Sequence, residues 1–364
     1  MLVSESVSGE RKRASEQAQV LARHAGDEAG HADVNWFDPA PYANPGDRVL
    51  VLGAANTTLC FSLAQVVGKR GQVVGIDSDG AAIASARAVA PEAFRRLGFS
   101  NVTFCNASHS DLRLDREAVN ELLQKEPIRH EADLEKFEAA VRRVRTEQPL
   151  VPDSAADLVV FDATSSPLAA APSLATFREI HRVLTHGGRC VLAVLTTDEP
   201  IAGEASSPYG RALLESRVFE DLEAAGLYGI SLLARDEEPV HRVGDVQFRR
   251  LRFVAYKGKE GPCWERVQAV LLKGPFRQVT DDDGHVFVRG VRTAVCEKTF
   301  RILSRPPYNS FFELIEPEIA TSPDTRVAFP CASAPIVRKP SETKTGRSDQ
   351  HQQTNGGKAA KSCC

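Results

Sequence analysis

The chain alternates short, nearly continuous apolar runs with longer stretches of helical spacing. Arg48-Val49-Leu50-Val51-Leu52-Gly53 reads as a buried strand ending in Gly, and Leu59 to Gly68 as the helix after it. Gln72-Val73-Val74-Gly75-Ile76-Asp77 is a second strand, ending in an acid, and Gly80 to Leu97 a second helix. A third strand is expected over Asn101 to Cys105, a fourth over Asp157 to Asp162, and a fifth over Cys190 to Leu195. Helices are expected over Ser173 to Leu184, closed by His186-Gly187-Gly188 as a Gly C-cap, and over Arg211 to Ala225, closed by Gly226. Two last strands follow, Ile230 to Ala234 and Gln247 to Tyr256. Strands alternating with helices imply parallel units, and near-continuous apolar strands imply a sheet covered on both faces.

Residues 113 to 150 interrupt this rhythm. They are highly charged, with helical spacing at Leu122, Leu123, Leu134, Phe137, Ala140 and Val141. An inserted helical excursion is expected, read as a solvated surface hairpin, with a lid or partner-binding element as the alternative. The remaining boundaries follow composition. Residues 1–33 are polar and read as disordered or loosely helical, and residues 34–258 hold the sheet. Residues 259–332 have short apolar runs and an Asp281-Asp282-Asp283-Gly284 turn, the pattern of a small, mainly-β module. Residues 333–364 are rich in Ser, Thr, Lys, Gln and Gly and read as a disordered tail. The expected fold is thus α/β, a doubly wound sheet of seven strands with a small β domain after it.

Composition removes several function classes. The 364 residues suit about two domains, and 42% hydrophobic residues suffice for a sizeable core. With 45 Lys and Arg against 48 Asp and Glu the net charge is −3, unlike a generally basic nucleic-acid binder. No apolar run approaches the roughly 18 residues of a membrane span. The polar N-terminus shows no secretory signal, and the eight cysteines are scattered apart from a final vicinal pair. A cytoplasmic protein with reduced thiols is expected, with neither nucleic acid nor membrane as partner.

The chemistry is expected at the carboxyl ends of the strands. Ligands of open parallel sheets bind there, at the point where strand order reverses. The turn Gly53-Ala54-Ala55 must let a ligand approach the backbone, and Asp77, 24 positions after Gly53, is placed to accept from ribose hydroxyls. Ser78 follows that acid. Asn106 closes the third strand, and Asp162 closes the fourth. Asp162 reads equally as a carboxylate for an ammonium group or as the cap of the next turn. His109 and Asp111 read either as loop surface or as neighbours of an adenine. This spacing suits S-adenosylmethionine or a dinucleotide. The Gly turn before the fifth strand and the final hairpin favour the methyltransferase version of the fold. Only one glycine of the usual Gly-rich turn remains, so a sheet that has lost its ligand is the competing reading.

Several segments in order resemble the arsenite methyltransferases. They are Cys60-Phe61-Ser62-Leu63-Ala64-Gln65-Val66-Val67-Gly68, Gly71 to Asp77, Asn101-Val102-Thr103-Phe104, Arg182-Val183-Leu184-Thr185-His186-Gly187-Gly188, Gly244-Asp245 before Phe248, and Val267-Gln268-Ala269-Val270 before Lys273-Gly274. The likeness spans roughly residues 47 to 318, and Gly356-Gly357 with Ser362-Cys363-Cys364 resembles the Cys-rich tails of animal and algal members. It implies a Rossmann-like, S-adenosylmethionine-binding domain and a C-terminal arsenic-methyltransferase module. It also implies methyl transfer to trivalent arsenic held by thiols, a thiol reductant, and a role in arsenic detoxification.

The sequence departs from the family at the arsenic ligands. Asp162-Ala163-Thr164 stands where the family has a Cys after strand four. Residues 206–214 contain none, and neither does the N-terminus. The cofactor side carries over through Gly53 and Asp77, but the arsenic-binding cysteines do not. The remaining thiols leave Cys363 and Cys364, and with them Cys105 at the end of strand three, as arsenic-ligand candidates. Cys60 and Cys190 read as core, and the sequence leaves the distance between Cys263 and Cys296 open. The alternatives to an arsenite methyltransferase-like enzyme are a degenerate paralogue acting as a binding or regulatory protein and a methyltransferase for a different small acceptor.

Overall fold

The computed structural model describes residues 37–54, 56–164, 172–201, 212–322, 327–331 and 334–348. It divides into two compact units, Met1–Lys257 and Gly258–Cys364. The expected 1–33 segment, Ala55, Cys363 and Cys364 lie outside the described residues.

The first unit runs β1 (Arg48–Leu52), α1 (Thr57–Val67), β2 (Gln72–Asp77), α2 (Gly80–Leu97), β3 (Val102–Asn106), α3 (Arg116–Lys125), α4 (Glu131–Glu147), β4 (Ala156–Asp162), α5 (Leu174–Val183), β5 (Leu184–Thr197), β6 (Leu213–Leu214), α6 (Glu215–Ala224), β7 (Tyr228–Arg235), β8 (His241–Val243) and β9 (Val246–Tyr256). Local chemistry starts the helices. Asn56 caps α1 by accepting from Leu59 N, Asp79 caps α2 through Ala81 N, and Ser173 with Thr176 forms a capping box on α5.

The main sheet has the order β3-β2-β1-β4-β5-β9-β7, with short β6 on β5 and β8 on β9. The pairs from β3 to β5 are parallel. β9 enters antiparallel between β5 and β7. Side chains alternate between two covered faces. Leu50, Leu52, Val159, Phe161, Leu192 and Phe253 join one core with Phe177 and Ile180 of α5 and Val218 and Leu222 of α6. On the other face Phe61 of α1 sets its ring edge-on to Phe94 of α2 at 6.1 Å and to Phe104 of β3 at 6.0 Å. Burying one such side chain is worth about 1.5–3 kcal/mol, and these central strands carry most of them.

Three expectations need correction. The His186-Gly187-Gly188 turn does not cap the preceding helix. α5 stops at Val183 with Leu184 already extended, and the glycines lie inside β5. There the ladder jumps from Ala156↔Leu184 to Leu158↔Arg189, a bulge whose positive φ of 84° at Gly187 explains the glycine. The helix expected from Arg211 starts at Glu215, because Leu213 and Leu214 pair with Thr196 and Thr197. The third correction concerns the tail, in the second unit.

The insertion forms two helices, α3 and α4, with no buried residue. Its basic side chains reach the loops after β2 and β3. Arg116 donates to Ser78 O at 2.7 Å, and Arg145 pairs with Asp111.

The second unit contains β10 (Ala269–Leu272), β11 (Gln278–Thr280), β12 (Val286–Val288), β13 (Arg292–Ala294), α7 (Glu297–Leu303), β14 (Phe312–Ile315) and α8 (Pro340–Thr345). β10 sits between β13 and β14, and β11 pairs with β12 across the Asp-rich turn. The disordered tail expected from residue 333 is ordered over 334–348. Ile336 O accepts from Ala294 N at 2.7 Å, and Arg338, 1% exposed, places both Glu265 oxygens 2.9 Å from its Nη2. A polar composition misleads here because the segment is held by backbone pairing and a buried ion pair rather than by apolar area.

Candidate functional site

Parallel β1 to β4 bring Gly53, Asp77, Asn106 and Asp162 to one edge of the sheet. The chain leaves β1 for β2 and β3 on one side and returns to β4 on the other, so the strand order reverses at β1. Gly53 takes φ 85°, which glycine adopts freely. Gly53 N and Ala54 N both donate to Ile76 O, at 3.0 and 3.1 Å. Ala54 is fully buried against β2: a Cβ on Gly75 would lie 2.9 Å from Ala54 Cβ and 2.7 Å from Phe104 Cδ1. The turn therefore needs small residues where strand one meets strand two.

Asp77 closes β2 as a buried carboxylate whose Oδ1 accepts from Asp79 N at 2.9 Å. Asn106 is buried and donates from Nδ2 to Asp77 O at 2.9 Å, so its side chain ties the ends of β2 and β3 together. Ser78 is exposed, with its carbonyl taken by Arg116. His109 is largely buried, edge-on to Phe161 with ring centroids 5.2 Å apart. Its Nε2 is buried without a hydrogen-bond partner. Desolvation pushes the imidazole pKa down, opposed by the nearby Asp77 charge and a hydrogen bond with the Ile76 backbone. Asp162 accepts at Oδ1 from Thr164 N (2.9 Å) and Thr164 Oγ1 (2.7 Å), which is the turn-capping geometry.

The thiols of this unit are poor metalloid ligands. Burial pushes Cys60 and Cys190 up to about 12. Cys105 is half-buried in the core, and desolvation with the Asp115 charge raises it as well.

The second unit brings together cysteines that the sequence left apart. The sulfurs of Cys263, Cys296 and Cys331 lie within 4.8 Å of one another. Backbone bonds around Trp264 hold the three segments: Glu297 N donates to Trp264 O, Ala328 bridges Trp264, and Phe329 N donates to Cys263 O at 2.9 Å. Cys296, 1% exposed, starts α7, and its sulfur accepts from Thr299 N at 3.4 Å with Thr299 Oγ1 at 3.2 Å. Hydrogen bonding from Cys331 chiefly, and from Thr299 and Cys263, lowers Cys296 to about 5 against the cost of burial. No disulfide joins the six described cysteines. Cys331 was not singled out from the sequence. Its one local signal is its place in the short apolar run Val327-Ala328-Phe329-Pro330-Cys331-Ala332.

The edge of β1 to β4 fits a nucleoside-bearing ligand on three counts: a buried acid at the end of β2, an orphaned polar nitrogen on His109 beside it, and a turn pressed close to the strand. A family model described as a methyltransferase domain matches residues 43–207, and one described as a domain of unknown function matches residues 259–348. The fold and this match define an S-adenosylmethionine-dependent methyltransferase. The arsenite methyltransferase of Aquipseudomonas alcaligenes is 25% identical over 295 residues, covering 76% of this chain and 75% of that protein. The mouse (Mus musculus) arsenite methyltransferase is 24% identical over 336 residues, covering 87% and 79%. The crystal structure of an arsenic(III) S-adenosylmethionine methyltransferase from Chlamydomonas reinhardtii superposes with a TM-score of 0.47 at 19% identity, covering 76% of this chain and 88% of that one. Over most of its length the chain is similar to these arsenite methyltransferases. Among the described residues, no helix is long and apolar enough to cross a membrane.

Proposed function

We propose that the protein transfers methyl groups from S-adenosylmethionine to trivalent arsenic held by thiols, with a thiol reductant keeping the metalloid trivalent. When bound, the cofactor supplies an electrophilic sulfonium methyl group. The observation that carries this reading is the buried Asp77 carboxylate at the strand-order reversal, the position from which an acid accepts from ribose hydroxyls. Gly53 and Ala54 would hold the cofactor at the turn after β1, with Ala55 the next residue in sequence. Ser78 and Asn106 flank Asp77, and Asn106 acts by fixing its backbone. Asp162, at the end of β4, is the candidate carboxylate for the methionine ammonium, beside its cap of the turn at Thr164. Trivalent arsenic carries a lone pair, so the step needs orientation and a dry site rather than a general base. Two arsenite methyltransferases aligned over most of the chain support the choice of acceptor.

The test is incubation of the full chain with S-adenosylmethionine, arsenite and glutathione, followed by arsenic speciation. Methylated arsenic is expected. Saturable cofactor binding without methylated arsenic would overturn the acceptor assignment. It would favour a binding protein or a methyltransferase for a different small acceptor. The observation on that side is that burial raises all three described thiols of the cofactor unit.

A further inference from the structure

We infer that the Gly258–Cys364 unit carries its own trivalent-arsenic site, a tris-thiolate formed by Cys263, Cys296 and Cys331. The three residues are 33 and 35 positions apart in sequence, yet their sulfurs converge within 4.8 Å. Soft thiolates select soft, thiophilic ions. The donor count narrows the choice further. Among the described residues no His, carboxylate or further Cys joins the three sulfurs within that distance. Structural zinc is almost always closed by four ligands. Trivalent arsenic makes three bonds and keeps a lone pair in the fourth position, which matches a three-sulfur set. The choice of arsenic among thiophilic ions rests on the function proposed above, whereas the convergence of the thiols does not.

The surroundings suit a built site. Cys296 is buried, while Cys263 and Cys331 are half-buried, which leaves a path from solvent. The scaffold is tied by buried polar contacts. Two residues after Cys263, Glu265 is locked by Arg338, which also binds Glu342 and Ser348. Capture balances without any redox partner. Three As–O bonds of arsenous acid break and three As–S bonds form. Each hydroxyl group leaves as water, taking the proton of its thiol or, where the sulfur is already ionised, one from solvent.

The final Cys363-Cys364 pair is a rival ligand, so the experiment uses the full-length C363S/C364S chain. After reduction and desalting it is titrated with arsenite, and bound arsenic and protected thiols are counted. One arsenic per chain and three protected thiols are expected. In the same background, C263S/C296S/C331S is expected to lose affinity by about 100-fold or more, since even partners of metal ligands are worth about 10–100-fold. Calorimetric binding of S-adenosylmethionine should be unchanged in that variant, which separates failure of this site from failure of the cofactor reading. Should the triple variant not fold, C263S alone serves, because Cys263 is half-buried and two thiols remain; a loss of about tenfold or more is expected. Unchanged arsenite affinity in either folded variant overturns the site and leaves three small side chains packed in a core. A stoichiometric zinc that arsenite does not displace overturns the assignment to arsenic.

Discussion

The two units treat cysteine in opposite ways. In the sheet unit, Cys60 and Cys190 are fully buried, and desolvation outweighs their backbone hydrogen bonds and raises both to about 12. In the second unit, Cys296 is just as buried, yet its sulfur is surrounded by donors and falls to about 5. Burial thus sets no sign by itself. The hydrogen-bonding groups around the sulfur decide whether a hidden cysteine is a small hydrophobe or a ligand in waiting. Among the described residues, the sheet unit carries the acid-bearing strand edge and three thiols raised by burial, and the second unit gathers three thiols at one point.

The largest way to break this contrast is to remove the support of the thiol cluster. Arg338→Ala leaves Glu265 buried and uncompensated, which costs about 3–5 kcal/mol. Chemical denaturation should show the Gly258–Cys364 unit unfolding at lower denaturant, with S-adenosylmethionine binding retained. Full stability in that variant would mean that Arg338 is not the lock.

The second effect concerns pH. The Cys296 pKa is lowered on folding, so the stabilisation from its thiolate is fully present above the unfolded thiol value, near 9. It is lost progressively as pH falls towards about 5. The arsenic-free chain should show one thiolate by ultraviolet absorbance at pH 7, absent in C296S. Full protonation of every thiol at pH 7 would remove the difference between the units.

Much of the sheet was legible in the sequence, since β1, β2 and β4 are apolar runs whose ends are marked by Gly53, Asp77 and Asp162. The final antiparallel hairpin was legible for the same reason. Gly187 was misleading because glycine reports a positive φ and not which element needs it; here a bulge in β5 does. The thiol cluster was hidden for a different reason. Cys263, Cys296 and Cys331 meet only through long-range backbone pairing around Trp264, and no periodicity records such a contact. Arg338 was hidden because a buried ion pair leaves a segment looking polar.

A small effect is expected at the insertion. α3 and α4 bury no side chain, and exposed ion pairs such as Arg87 with Glu117 are worth about 0–1 kcal/mol each. Replacing residues 116–147 by a short Gly/Ser linker should leave cooperative unfolding of the sheet unit intact. A broadened, non-cooperative transition would place the insertion in the core.

The most direct measurement is calorimetric titration of the full chain with S-adenosylmethionine, beside Asp77→Ala. The account predicts saturable binding of one cofactor per chain. Losing the acid leaves ribose hydroxyls unpaired and should weaken binding by about 1.5–3 kcal/mol, the range for hydrogen bonds to a charged group. No saturable heat from the parent chain, or equal affinity in the Asp77→Ala variant, would contradict the assignment of this edge as the cofactor site.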